Sequence, residues 1–145
     1  DELFGDAGDD DLWGESGNDQ LFGGAGADSL LGGSGIDDMA GGAGEDVFYF
    51  YKVSDSQVGP TKCDSITDFN LRDDYISVYK IDANTHATGN QKFDFTGTVA
   101  ADNSLWYARV TGGVVVRADV NGDAATDFEI FVLGVTKLRE IDFVL

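Results

Sequence analysis

Residues 5–49 read, in blocks of nine, GDAGDDDLW (5–13), GESGNDQLF (14–22), GGAGADSLL (23–31), GGSGIDDMA (32–40) and GGAGEDVFY (41–49). The blocks follow one another without gaps, and Asp1 to Phe4 supply the tail of a preceding one. Aspartate holds the sixth place throughout, at Asp10, Asp19, Asp28, Asp37 and Asp46. A large apolar residue follows two places later, at Leu3, Leu12, Leu21, Leu30, Met39 and Phe48. Glycine holds the first and fourth places of all five blocks. An acidic, glycine-rich linker would keep no such phase, so the period marks a repeat architecture.

The period has a physical reading. Six residues of the form G-G-x-G-x-D make a turn, because glycine reaches backbone conformations closed to other residues. The next three make a short strand whose middle side chain points inward. Two blocks complete one coil, so residues 18 apart stack on the same side. Stacked strands lie about 4.7–4.9 Å apart, and calcium binds oxygen at about 2.3–2.6 Å. An ion between coils therefore spans almost the same distance, and aspartates stacked without one repel each other. The expected carboxylate pairs are Asp10–Asp28, Asp19–Asp37 and Asp28–Asp46. The remaining ligands are expected from backbone carbonyls of the turns, at Gly14, Gly17, Gly23, Gly24, Gly26, Gly32, Gly33, Gly35, Gly41, Gly42 and Gly44, which suit a hard cation wanting six to eight oxygens. The expected fold is all-β: a parallel β-roll over 1–50 with three or more Ca2+ between its coils, capped over 51–145 by an antiparallel β region.

Composition agrees with one domain that needs no disulfide. The chain has 145 residues, of which 42% are apolar, and a formal net charge of −18 from 27 acidic and 9 basic groups. Such a surface repels nucleic acid and anionic membrane and attracts cations. Cys63 is the sole cysteine, so no intrachain disulfide exists. No run of about 18 apolar residues predicts a membrane span, and no positively charged, apolar signal peptide opens the chain. Because the first residues already fall inside a repeat, the chain reads as part of a longer protein.

Beyond Tyr49 the nine-residue phase fades. Strands are expected at 47–52, 65–69, 75–81, 91–95, 105–110, 113–119 and 127–133, with a helical turn within 134–141. Asp64 stands 18 residues after Asp46 and Asp64-Ser65-Ile66 repeats the D-x-U pattern, so Asp64 is expected as a further ligand beside Asp46. The stretch Asp119-Val120-Asn121-Gly122-Asp123 has oxygen groups at alternate places, as in the opening of an EF-hand loop. Ala124 and Ile130 stand where glycine and glutamate belong, and a hairpin turn on Asn121-Gly122 is the competing reading.

The ninth places carry Phe4, Trp13, Phe22, Leu31, Ala40 and Tyr49, expected to face outward, with Phe4 and Phe22 on one sheet and Trp13 and Leu31 on the other. Such a strip either stacks on sugar rings or packs against other parts of a larger protein.

The nonapeptides are those of RTX, or hemolysin-type calcium-binding, proteins. Together with GGAGEDVFYF, SDS, DSITDF, VNGDAATDFEI and the closing DFVL, they make the whole chain resemble the C-terminal domain of serralysin-type secreted metalloproteases. Similar domains form modules of mannuronan epimerases. The resemblance implies a secreted, extracellular protein whose catalytic or other functional domain lies N-terminal to this one. It also implies export by a type I secretion ABC transporter that reads an acidic residue followed by apolar ones, here Asp142-Phe143-Val144-Leu145. An ordinary terminal strand is compatible with that role. The protease zinc motif H-E-x-x-H is absent and His86 is the sole histidine, so no catalytic site is expected. A lone Cys63 without a histidine partner pattern does not make a nucleophile. The function read from these residues is calcium-dependent folding outside the cell in support of secretion. The alternative is a polysaccharide-binding module of an epimerase-like enzyme.

Overall fold

The computed structural model describes all 145 residues. Each x-U-x triplet after the sixth-place aspartate forms a three-residue strand or the start of a longer one: β1 (Glu2–Phe4), β2 (Asp11–Trp13), β3 (Gln20–Ala25), β4 (Ser29–Leu31), β5 (Asp38–Ala43) and β6 (Val47–Tyr49). The chain continues through β7 (Asp64–Ile66), β8 (Tyr75–Ser77), β9 (Asp94–Phe95), β10 (Ser104–Val110), β11 (Gly113–Ala118), β12 (Phe128–Leu133) and β13 (Phe143–Val144). Odd-numbered repeat strands build one sheet and even-numbered ones the other. The larger sheet runs β1-β3-β5-β7-β12-β11-β10-β9 and the smaller β13-β8-β6-β4-β2. No helix is long and apolar enough to cross a membrane.

The 18-residue stacking appears as strand register. Leu3 pairs with Leu21 and Leu21 with Met39 in one sheet; Leu12 pairs with Leu30 and Leu30 with Phe48 in the other. Leu12, Leu21, Leu30, Met39 and Phe48 are all buried, and one apolar core joins them to Ile66, Ile76, Val114, Val132 and Phe143. Each such side chain contributes roughly 1.5–3 kcal/mol. The core therefore runs without a break from the repeats into the second half.

Residues 51–145 depart from a purely antiparallel cap. Only β10–β11 and β11–β12 are antiparallel, whereas β7, β8, β9 and β13 join their neighbours in parallel. The roll itself continues by one more strand in each sheet, because Ile66 falls in register with Met39 and Ile76 with Phe48. Several strands are also shorter than expected, since the chain must turn after three residues to enter the next loop: 47–52 shrinks to Val47–Tyr49, 65–69 to Asp64–Ile66 and 75–81 to Tyr75–Ser77. The helical turn near the end is one 3-10 turn at Glu140–Asp142.

Between β6 and β7 lies an insertion that breaks the nine-residue phase. Asp55 accepts hydrogen bonds from the amides of Tyr51 and Lys52 at 2.8 and 2.9 Å and closes a 3-10 turn over Val53–Asp55. Ser56 Oγ accepts from the Asp64 amide at 2.8 Å and donates to the Glu129 carbonyl. The Gly59 amide donates to Glu129 Oε2 at 2.7 Å, while Arg117 Nε donates to Oε1 at 2.8 Å. The insertion is thereby fastened to β12.

Candidate metal ladders

The sixth-place aspartates form two ladders, one on each side of the roll. On one side the amide of Asp19 donates to Oδ1 of Asp37 and the amide of Asp37 to Oδ1 of Asp64, both at 2.9 Å. On the other, the amide of Asp10 donates to Asp28 and that of Asp28 to Asp46, both at 2.9 Å, and Asp46 donates to Asp74 at 3.2 Å. The three expected pairs, Asp10–Asp28, Asp19–Asp37 and Asp28–Asp46, are all neighbours. Asp64 is different: it stands beside Asp37, not Asp46. The insertion moves β7 to 27 residues after its partner, so an 18-residue spacing no longer marks neighbours there.

The second carboxylate oxygens decide what the ladders can hold. Oδ2 of Asp10, Asp19, Asp28, Asp37, Asp46 and Asp64 is buried and accepts no hydrogen bond. These are the same six aspartates that the repeat register singles out. A buried, unpaired carboxylate oxygen is costly unless a cation or proton satisfies it. First-place glycines press against these oxygens. A Cβ on Gly14 would lie 2.8 Å from Asp19 Oδ2 and 2.5 Å from the carbonyl oxygen of Gly32, one coil on. Gly23, Gly32 and Gly41 sit likewise against Asp28, Asp37 and Asp46. The other repeat glycines expected as ligands, Gly17, Gly24, Gly26, Gly33, Gly35, Gly42 and Gly44, have positive φ. At Gly26, φ is 142° and a Cβ would strike the carbonyl of Gly8 in the coil below. At Gly24, Gly26, Gly33, Gly35, Gly42 and Gly44 the turns are packed carbonyl against α-carbon with no room for a side chain, whereas Gly17 in the first coil is open.

No three His, Cys, Asp or Glu side chains gather at one point. A ladder has no need of such a cluster, because it takes carboxylates in pairs and leaves backbone carbonyls to complete a calcium shell. Orphaned carboxylate oxygens beside tightly stacked carbonyls fit a hard, oxygen-loving divalent ion, and would suit a soft or nitrogen-seeking metal poorly.

Burial weakens four of the ladder carboxyls as acids. Asp37 and Asp46 titrate above the usual carboxylate range, chiefly through burial and secondarily through the charges of Asp19 and Asp28. Asp64 is pushed up to about 8 and Asp74 to about 6, again by burial first. Burial therefore disfavours the charged carboxylates, and a cation would offset that cost.

Two residues escaped the sequence reading. Asp74 ends the second ladder: its Oδ1 accepts from Asp46 and its Oδ2 from the amide of Asn70 at 2.7 Å, so both oxygens are used. Its signal was Asp74-Tyr75-Ile76, a D-x-U triplet out of phase with the nines. Asp68 closes the last glycine turn, accepting from the amides of Gly41 and Gly42 at 3.0 and 2.9 Å.

The loop at Asp119 is a turn. Asp119 Oδ1 accepts from Asn121 and Gly122, both at 2.9 Å, and Oδ2 from Asn103 and Ala124 at 3.1 and 2.9 Å. Four amides converge on this carboxylate and brace the loop 119–127, which joins antiparallel β11 and β12 in place of the two-residue turn expected on Asn121-Gly122. Those hydrogen bonds outweigh burial and hold this carboxyl below its usual range. The outward aromatics lie where expected. Phe4 and Phe22 stack with centroids 5.0 Å apart on the larger sheet, and Trp13 is exposed on the smaller.

A cavity of about 690 Å³ is bordered by Ile36, Asp38, Cys63 and Ser65, which flank Asp37 and Asp64 in the chain, and by Arg117 and Glu129. Burial, then the Glu129 charge, pushes the Cys63 thiol up, which makes it a poor nucleophile.

Comparison with known proteins agrees with this geometry. The family model described as peptidase M10 serralysin C terminal matches residues 5–145. No curated protein matches. Among solved structures, the AlgE6R3 subunit of the Azotobacter vinelandii mannuronan C5-epimerase is 28% identical, with a TM-score of 0.58 over 96% of this chain and 78% of that one. The AlgE6R2 subunit of the same epimerase is 24% identical and shares the fold, with a TM-score of 0.67 over 100% of this chain and 87% of that one. With its repeats, its two ladders and a family match over nearly its whole length, the chain belongs to the serralysin C-terminal family, as a non-catalytic calcium-binding β-roll of RTX type.

Proposed function

We propose that this domain folds on binding three or more calcium ions outside the cell, and so supports type I secretion and stability of a larger extracellular protein. The observation that carries the reading is the set of six buried Oδ2 atoms without partners. Inside a cell, calcium is too scarce to load sites of extracellular affinity, about 0.1–1 mM. The unloaded chain, at net charge −18, repels itself and stays loose enough to thread a transporter. Outside, the free energy of binding becomes free energy of folding.

The export signal fits the same order of events. In the folded domain Asp142 is held by the Arg139 amide and guanidinium, Phe143 is buried, and β13 pairs with β8. A transporter reading Asp142, Phe143, Val144 and Leu145 would therefore need the unfolded chain. Titrating chelator-stripped protein with calcium under circular dichroism and calorimetry tests the proposal. Cooperative gain of β-structure with at least three ions is expected; a complete fold in chelator would refute it.

The likeness to an epimerase subunit favours a second reading, in which an outward strip meets polysaccharide. Phe4 and Phe22 lie on the larger sheet and Trp13 on the smaller, so one sugar chain could not span all three. Mannuronan oligomers added to the calcium-loaded domain should perturb Trp13 fluorescence if this reading holds. No change would leave the folding role alone.

A further inference from the structure

β7 is the joint of the larger sheet: it pairs with β5 of the repeats on one side and with β12 of the C-terminal hairpin on the other. Asp64 sits at that joint, opposite Ile130 of β12, and its Oδ1 takes the amide of Asp37. Its Oδ2 is buried and without a partner, and the residue is 0% exposed. The other ladder ends differently, since both oxygens of Asp74 are already used by amides. The first ladder thus stops at an open carboxylate, in the one strand that ties the two halves of this sheet together.

We propose that a calcium ion shared by Asp37 and Asp64 is the clasp that docks the β10–β12 hairpin onto the roll, so that loading of the repeats and order in the C-terminal half become a single transition. The inference rests on calcium binding as proposed above and adds the residue through which binding reaches non-repeat chain. Without the ion, closing β12 onto β7 buries an oxygen that no protein group satisfies, and the sheet opens there first. With the ion, the same oxygen becomes a ligand and the seam closes. Ser56 and Gly59, both bonded to Glu129, hold β12 where Asp64 can feel it.

Hydrogen–deuterium exchange, followed by mass spectrometry across a calcium titration, reads peptides within 20–43 and 104–133 separately. In the parent domain both should gain protection at the same calcium concentration. In Asp64→Asn the two midpoints should part by about tenfold or more, with one ion fewer bound by calorimetry. In Asp10→Asn, at the far end of the other ladder, they should still coincide. Coincident midpoints in Asp64→Asn, or loss of both regions together, would overturn the clasp while leaving calcium-dependent folding intact. If the parent gained no protection with calcium, the reading beneath the inference would fall and the inference with it.

Discussion

The amide of Asp37 donates to Oδ1 of Asp64 at 2.9 Å, although 27 residues separate them and 18 separate every repeat pair. The contact carries the ladder from repeat sequence into sequence with no repeat, and it places a wholly buried carboxylate at a strand junction. Stability should therefore respond to acid in an unusual direction.

In the folded arrangement without calcium, burial pushes the carboxyl of Asp64 up to about 8 and that of Asp74 up to about 6, against an ordinary value of 3.8. Both folded values lie above the unfolded one, so the folded state holds protons the unfolded state has released. Their contribution to stability is complete below 3.8 and is lost as pH rises through about 6 for Asp74 and about 8 for Asp64. The chelated chain, loose at about pH 8.5, should therefore gain β-structure at about pH 5. Calcium should reverse the order, because ligands must be deprotonated to bind. Scanning calorimetry at both pH values, with and without calcium, checks this.

Asp119 has the opposite sign. Four amides hold its carboxyl below the ordinary 3.8, so its contribution is present above that value and is lost as pH falls below it. Asp119→Ala should orphan those amides and destabilise the calcium-loaded domain by about 1–3 kcal/mol. The number of ions bound, read by calorimetry, should not change; a lost ion would return the loop to the metal sites.

Gly14→Ala tests the packing of the turns. The added methyl meets Asp19 Oδ2 at 2.8 Å and the Gly32 carbonyl at 2.5 Å, and neither belongs to a flexible chain end. Overpacking of this kind costs about 1–3 kcal/mol. Denaturant unfolding with calcium present should show that loss, together with weaker calcium binding.

Glu15 stands where later repeats have glycine, and its φ is 69°. Left-handed backbone costs a residue with a side chain roughly 1–2 kcal/mol. Glu15→Gly should recover part of that, raising the denaturation midpoint by an amount worth about 0.5–1 kcal/mol. An unchanged or lower midpoint would mean that the Glu15 side chain supplies something its backbone strain conceals.

The repeats were legible because each decisive property is local and periodic. Gly, Asp and an apolar residue at fixed places define turn, ligand and core without reference to distant chain. For that reason the all-β roll, the alternation of Leu12, Leu21, Leu30, Met39 and Phe48 between two sheets, and the set of six aspartates from Asp10 to Asp64 were all determined by sequence alone. The partner of Asp64 was not, because an insertion changes which strand lies beside which, and no local spacing records that. The same holds for Asp74 and Asp68, whose roles come from amides 28 and 27 residues away. Asp119 shows the limit most directly. Its spacing to Asn121 and Asp123 suits a metal loop, yet the folded loop turns the nearby amides of Asn121, Gly122 and Ala124 onto its oxygens, and the tertiary structure adds that of Asn103. Sequence set which groups can carry charge into the interior; only the folded chain decided whether an amide or an open space waits for each.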